Sequence, residues 1–360
     1  MPNNSNNNDY LSRQYFASSL DFAQLIDQLL DRVSPKSSGN RPLYRDMLMT
    51  VARMAEADRS RWDAKIMNQT LKELEASFSL LERFKRRRKV TVFGSARTLP
   101  EHPLYAQAKQ LGKLLSDSNL MVITGAGNGI MAAAHEGAGL ENSLGFNIEL
   151  PFEQSANTTV HNSSHLLTFN FFFLRKLFFV KEADALVLCP GGFGTLDEAL
   201  EVLTLVQTGK SPVVPIILMD VEGGTFWDAF LDYLNQELAG NHYISPNDTS
   251  LMRLVRTPEA ACEEIANFYR NYHSSRKAHE FMLIRMQHFL SDEAISTLNT
   301  DFRDLCINGH GYVQQAYCAS THDEPEFCNL VRLEFDFNGR DHGRLRELID
   351  FINQPSHWKK

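Results

Sequence analysis

The order of apolar and polar residues along the middle of the chain predicts alternating strands and helices. Short apolar runs are typical of buried strands, at 90–93, 120–123, 144–148, 185–189 and 213–219. Apolar residues recur at helical spacing over 102–115, 130–138, 171–182, 196–208, 226–238 and 258–269. This alternation predicts an α/β fold, a Rossmann-like parallel sheet with helices on both faces.

The two ends of the chain have different patterns. Residues 1–10 are Asn-rich and predicted to be disordered, 34–40 are typical of a linker after a short helix, and 43–84 are predicted to form packing or dimerisation helices. Beyond residue 271 we predict helical stretches and strands, at 280–290, 301–306 and 344–352 for helices and at 312–317 and 329–337 for strands. The predicted domains are a linker region with a short helix (1–40), an N-terminal helical extension (41–88), the Rossmann-like domain (89–272) and a small C-terminal α+β appendage (273–360).

Composition limits the partners and the compartment. The chain of 360 residues carries a formal net charge of -8, which argues against nucleic acid or an acidic membrane as its main partner. The most apolar stretch, 171–180, is interrupted by Arg175 and Lys176 and is shorter than the about 20 apolar residues that cross a bilayer. No signal-peptide pattern is present and the 5 cysteines form no C-x-x-C pair, so we expect a cytoplasmic protein with free thiols.

A basic run, Lys85 to Lys89, directly precedes the first predicted strand of the sheet. Such a run is either a nucleic-acid contact or the solvated end of a helix. Because the chain is acidic and the run leads into a buried strand, we favour the solvated helix end.

The unusual loops of the predicted sheet all follow strands. They are 94–97, 124–129, 149–154 and 190–198. Ligands of parallel α/β sheets bind beyond the carboxyl ends of the strands, so these loops are expected to gather into one site.

The loop at 190–198, PGGFGTLDE, has the features of a phosphate-binding turn. Gly191, Gly192 and Gly194 are expected to allow positive φ and close approach of a ligand, next to a helix that starts near Thr195. The loop lacks the Gly-Lys-Ser/Thr ending of a Walker loop, so a monophosphate fits better than a triphosphate. Glu198 either caps this helix in a capping box with Thr195, which the spacing alone favours, or faces the ligand.

Two other features, the glycines at 125–129 and Arg175, keep two interpretations each. Gly125, Gly127 and Gly129 form half of a dinucleotide fingerprint, with Glu149 at the distance of a ribose-binding acid, or they form a plain tight turn. Arg175 lies among phenylalanines and either extends to solvent or pairs with an anion. Cys189 is predicted to be a small buried residue. No metal site is predicted, since the available ligand types lack a characteristic spacing: Cys306, His310, Cys318, His322 and Cys328.

Taken together, six motifs resemble the LOG (Lonely Guy) family, whose members were long labelled lysine decarboxylases. They are GSAR (94–97), TGAGNGIM (124–131), NIELPFEQ (147–154), FFLRK (172–176), PGGFGTLDE (190–198) and TLVQTGK (204–210). The resemblance covers about 89–240. It implies a homodimer or larger homo-oligomer that hydrolyses the N-glycosidic bond of a nucleoside 5′-monophosphate, such as AMP or a cytokinin riboside monophosphate, with no cofactor and no metal.

The resemblance also implies roles for individual residues. Arg175 and Glu198 match the catalytic pair. Phosphate or ribose contacts are expected from Ser95, Gly125, Gly127, Gly129, Gly191, Gly192, Gly194 and Thr195, and base contacts from Met131 and Phe193. Ala126 stands where relatives often have glycine. With the loops expected to converge and Arg175 just upstream, we favour a Glu198 that faces the ribose.

Two further functions use the same motifs. A non-catalytic nucleotide sensor or carrier is one alternative, and an NAD-dependent oxidoreductase is another. Lysine decarboxylation is disfavoured because no pyridoxal-phosphate lysine context accompanies the phosphate loop.

Overall fold

The computed structural model describes residues 20–35, 38–58, 60–150, 155–278, 281–316 and 327–359. The segment 1–10 predicted to be disordered, part of the predicted 34–40 linker, and Cys318 and His322 lie outside these ranges. The chain divides into two compact units, Met1–Lys72 and Glu73–Lys360. No membrane-spanning helix is found among the helices of the described ranges.

The described part of the first unit is helical, as its spacing predicts. Helices α1 (Leu20–Val33) and α2 (Arg41–Glu56) are followed by the start of α3 (Arg61–Leu81). Arg45 pairs with Asp27 at 2.9 Å, which ties α2 to α1. Several large apolar side chains of these helices are exposed, among them Leu25, Leu43 and Met47.

The second unit is built on a parallel sheet of seven strands in the order β4-β3-β2-β1-β5-β6-β7. The strands are β1 (Lys89–Phe93), β2 (Met121–Thr124), β3 (Ser143–Ile148), β4 (Leu166–Phe169), β5 (Ala185–Leu188), β6 (Ile216–Met219) and β7 (Met252–Val255). The predicted parallel α/β fold is confirmed. Strands β4 and β7 were not predicted; each is four residues long and lies at an edge of the sheet, where the apolar pattern is weakest.

Helices cover both faces of this sheet. They are α4 (Pro103–Asp117), α5 (Ile130–Ala138), α6 (Phe172–Glu182), α7 (Phe193–Gln207), α8 (Phe226–Tyr233) and α9 (Pro258–Phe268). One face buries Val92 and Val187 against α4, α5 and α9, while the other buries Leu186 and Leu188 against α6 and α7. Because strand residues alternate between the faces, near-continuous apolar runs supply both cores.

The C-terminal region forms an antiparallel sheet in the order β10-β11-β9-β8. Its elements are β8 (Tyr272–Ala278), β9 (Phe281–Met286), α10 (Asp292–Asp301), β10 (Val313–Gln315), β11 (Val331–Phe335) and α11 (His342–Ile352). The predicted α+β character is confirmed, but the helix predicted at 280–290 is wrong. Leu283 to Met286 are continuously buried there, in a strand paired on both sides.

Two glycines let α4 and α5 approach closely. A Cβ atom on Gly137 would lie 1.8 Å from the carbonyl oxygen of Lys109, and one on Gly112 would lie 2.0 Å from that of Ala134. Neither backbone oxygen can move without shifting its helix, so this contact accepts no side chain.

We expect Gly137→Ala to destabilise the fold by about 3 kcal/mol, since overpacking of a helix contact outweighs the better helix propensity of alanine. Urea unfolding followed by circular dichroism measures this loss. Gly39→Ala, whose Cβ meets nothing within 4 Å, is the control and should unfold like the wild type. Equal stability of Gly137→Ala and wild type would show that the helices separate freely.

Candidate active site

A cavity of about 770 Å³ opens at the carboxyl edge of the parallel sheet. It is lined by the loops after β1, β2, β3 and β5 and by the start of α6 and α7. The structure thus brings the predicted loops together, apart from 151–154, which lie outside the described residues. The lining includes most of the predicted site residues: Ser95, Gly125, Gly127, Met131, Arg175, Gly191, Gly192, Phe193, Gly194, Thr195 and Glu198.

Helix α7 begins earlier than the sequence predicted. Its first residue is Phe193 and its N-cap is Gly192, with no side chain capping the helix. The capping box, one of the two interpretations of Thr195 and Glu198, is therefore not formed. Glu198 lies in the second turn, where its carboxylate has no structural role at the helix start.

The glycines of this loop act by leaving space rather than by unusual backbone angles. Gly191, Gly192 and Gly194 do not have positive φ, so that expectation is wrong. A Cβ on Gly192 or Gly194 would meet no atom within 4 Å. Since both residues line the cavity, their missing side chains leave room beside the first N–H groups of α7, which attract an anion.

Glu198 is a buried carboxylate on the cavity wall, with its side chain 4% exposed. Burial raises its pKa from 4.5 to about 7, although the positive charges of Lys176 and Arg175 act in the opposite direction. Its Oε2 atom is buried and has no hydrogen-bond partner among the described residues. Near neutral pH the group therefore exists in both protonation states, as a proton-transfer group requires.

Lys176 holds three carboxylates together beside the cavity. Its Nζ lies 2.7 Å from Glu201, 2.9 Å from Asp197 and 3.4 Å from Glu198. Burial lowers the pKa of Lys176, but its contacts with Glu201 and Asp197 and the charge of Glu198 raise it overall. From the sequence, Arg175 is the expected ligand residue and Lys176 has no predicted role. The only signal for Lys176 is that it directly follows Arg175 in the chain.

Arg175 lies on the cavity wall between aromatic rings. Its guanidinium is 5.0 Å from the centre of the Phe172 ring and 5.5 Å from that of Phe179. The rings hold the guanidinium plane by cation–π contact while the donors stay near the cavity. Arg175 thus lies against the cavity and does not extend into bulk solvent.

The loop after β2 is held in a strained conformation. Ala126 has φ of 59°, which costs an L-residue about 1 kcal/mol. Its N–H donates to Thr124 Oγ1 at 3.0 Å, and its carbonyl accepts from the Asn157 N–H at 2.8 Å. Gly129 does not line the cavity; it is the N-cap of α5, with φ of 63° and no space for a Cβ against the Ser95 carbonyl.

Asn157 and His135 hold the loop after β2 in place through hydrogen bonds. Neither residue was predicted from the sequence to be part of the site. The Asn157 amide donates to the Gly127 carbonyl at 3.1 Å and contacts His135 Nδ1 at 3.2 Å. His135 Nε2 lies 3.2 Å from the Leu144 carbonyl, which only accepts, so the proton is on Nε2 and Nδ1 accepts from Asn157. Burial lowers the pKa of His135 to about 4, so it is neutral at pH 7.

Other candidate residues lie away from the cavity. Glu149, the acid of the dinucleotide interpretation, is exposed and does not line it. Cys189 is buried, and burial raises the pKa of its thiol to about 12, as expected for a packing residue. Among the residues that the structure describes, no three His, Cys, Asp or Glu side chains are grouped for a metal ion.

Residues 128–265 match the protein family described as possible lysine decarboxylase. The probable cytokinin riboside 5′-monophosphate phosphoribohydrolase LOGL6 of Oryza sativa subsp. japonica is 31% identical over 91 residues, 25% of this chain and 35% of that protein. The cytokinin riboside 5′-monophosphate phosphoribohydrolase LOG2 of Arabidopsis thaliana is 29% identical over 155 residues, which are 41% of this chain and 69% of that protein. The predicted LOG-family resemblance is confirmed.

The LOG-family match includes both predicted catalytic residues, because Arg175 and Glu198 lie inside 128–265. The chain covers about a third of the length of the rice relative. Among solved structures, the molybdenum cofactor binding protein of Rippkaea orientalis aligns over 49% of this chain and 94% of its own, with 22% identity and a TM-score of 0.35.

The neutral His135 makes stability depend on pH. Its pKa is about 4 in the folded state and 6.5 ordinarily, so the unfolded state binds the proton first as pH falls. Stability is complete above about pH 6.5 and decreases towards pH 4, by about 2 kcal/mol between pH 7 and pH 5.

Urea unfolding at these two pH values measures the effect. His135→Gln should lack this part of the pH dependence, whereas His161→Gln, at an exposed histidine, should keep it. An unchanged slope in His135→Gln would contradict a buried neutral imidazole.

Proposed function

We propose that this protein hydrolyses the N-glycosidic bond of a nucleoside 5′-monophosphate and releases the free base and ribose 5-phosphate. AMP or a cytokinin riboside monophosphate is the proposed substrate. The observation that carries this proposal is the buried Glu198 carboxylate, one oxygen of which has no hydrogen-bond partner among the described residues. Glu198 lines the same cavity as the glycine loop 191–194, which suits an anion.

The proposed position of the phosphate is the start of α7. The open space at Gly192 and Gly194, the first N–H groups of the helix and the nearby Arg175 guanidinium all favour a dianion there. Binding energy from this group, which does not react, holds the ribose against the wall that carries Glu198.

The reaction itself needs a negative charge near C1′. As the bond to the base breaks, the ribose gains oxocarbenium character, which an ionised carboxylate stabilises. The unpartnered oxygen of Glu198 is free to accept a hydrogen bond from a ribose hydroxyl or from the attacking water. A pKa of about 7 lets the same group accept a proton from that water.

The oxidoreductase alternative has less support. A dinucleotide site needs an acid at the ribose, and Glu149 is exposed outside the cavity. The remaining alternative, a nucleotide sensor or carrier, uses the same phosphate loop and differs only in the absence of turnover.

Glu198→Gln should reduce turnover of AMP by about a hundredfold or more while it leaves AMP binding within a few fold, since the amide keeps the shape but loses the charge. Chromatography of adenine and ribose 5-phosphate measures turnover, and calorimetry measures binding. Glu136→Gln, an exposed carboxylate on α5, is the matched control. Binding without turnover in the wild type would support the sensor instead.

Lys176 is proposed to position and ionise Glu198. Without this cation the pKa of Glu198 rises further, so Lys176→Met should move the acidic limb of the pH–rate profile about one unit to higher pH. Lys113→Met, at an exposed lysine on α4, should leave the limb in place. A uniform loss of rate at all pH values would show that Lys176 is only structural.

A further inference from the structure

A second cavity, of about 500 Å³, lies at the edge of the parallel sheet where strands β1 and β5 begin, opposite the candidate active site. It is lined by the basic run 85–89, by the last residues of α6 and the turn after it, and by the start of β8. No residue lines both this cavity and the candidate active site. Strand β1 separates them, since it begins at Lys89 in one and ends at Phe93 in the other.

The charge of this cavity is opposite to that of the chain. Six cationic side chains line it, against three carboxylates: Lys85, Arg86, Arg87, Arg88, Lys89 and Lys181, with Glu82, Glu182 and Asp184. The whole chain carries -8. The cavity is therefore a local positive region in an acidic protein.

The three carboxylates do not neutralise the six cationic side chains of this cavity. Glu182 contacts both Lys89, at 3.1 Å, and Lys181. Arg87 donates to neutral groups instead, the Asn142 side-chain oxygen at 2.6 Å and the Glu141 carbonyl at 3.4 Å. Positive charge in excess thus remains at the wall.

Two of these cations, Arg88 and Lys89, are fixed in place. The Arg88 guanidinium lies 3.7 Å from the centre of the Tyr269 ring and pairs with Asp184 at 3.2 Å. The Lys89 side chain is 5% exposed. Donors held in this way lose little entropy when an anion binds, which distinguishes them from mobile surface lysines.

We infer that this cavity is a second anion site, for a compact polyphosphate of the pyrophosphate class. A group with several charges close together matches six clustered cations, and guanidinium groups pair with phosphate oxygens in a bidentate manner. A nucleic-acid backbone fits less well, because Arg88 and Lys89 line the cavity paired with Asp184 and Glu182 and do not form a row of fully exposed cations.

Calorimetric titration of the full chain with inorganic pyrophosphate at constant ionic strength tests the site. The wild type should bind it, Arg86→Glu should weaken binding about tenfold, and Arg175→Ala should leave it within about twofold. Arg83→Glu is the matched control, because Arg83 is exposed three residues earlier in the short 3-10 helix Glu82–Phe84, has the same charge and does not line the cavity. It too should bind like the wild type.

Three results would overturn the site: no binding to the wild type at millimolar pyrophosphate, equal loss in Arg83→Glu and Arg86→Glu, or loss only in Arg175→Ala, which would place the anion in the candidate active site. Tighter binding of a single-stranded oligonucleotide than of pyrophosphate would assign the basic run to nucleic acid instead. Since none of these measurements needs turnover, the proposed hydrolysis can fail independently. Arg87→Gln, expected to weaken binding as well, provides a second variant if Arg86→Glu does not fold.

Discussion

A carboxylate buried in the wall of the candidate active site stays ionised near neutral pH only if a cation lies beside it. Here Lys176 supplies that cation for Glu198 and shares it with Asp197 and Glu201. Removing a charge from water costs several kcal/mol unless it is paired. The position of α6 against α7, and with it the geometry of the candidate active site, depends on this group of four side chains.

The sheet and the edge at which its loops converge were predictable because both follow from short-range rules. Apolar runs such as 185–189 identify buried strands, and parallel strands bring their following loops to one edge. The convergence of Ser95, Gly125 and Gly192 on one cavity follows directly from this topology. The two edge strands were missed because four residues leave too little pattern to separate them from loops.

The parts that were mistaken depend on tertiary context. The spacing of Thr195 and Glu198 fits a capping box, but whether it forms depends on where the helix starts, and α7 starts two residues earlier. Residues 280–290 suit a helix as well as a strand until their partners are known; pairing with β8 and β11 decides for the strand. Asn157 carries no local signal at all, because its role comes from the Gly127 carbonyl across the fold.

Helix α7 has no basic residue of its own, although three acids lie within five positions near its start. Asp197 and Glu201 are four residues apart and Glu198 and Glu201 three, spacings at which like charges repel on a helix surface. The first turns of α7 are therefore weak in isolation. We expect them to become ordered only once α6 has docked and brought Lys176, so the wall of the candidate active site and the two helices that form it assemble in one folding step.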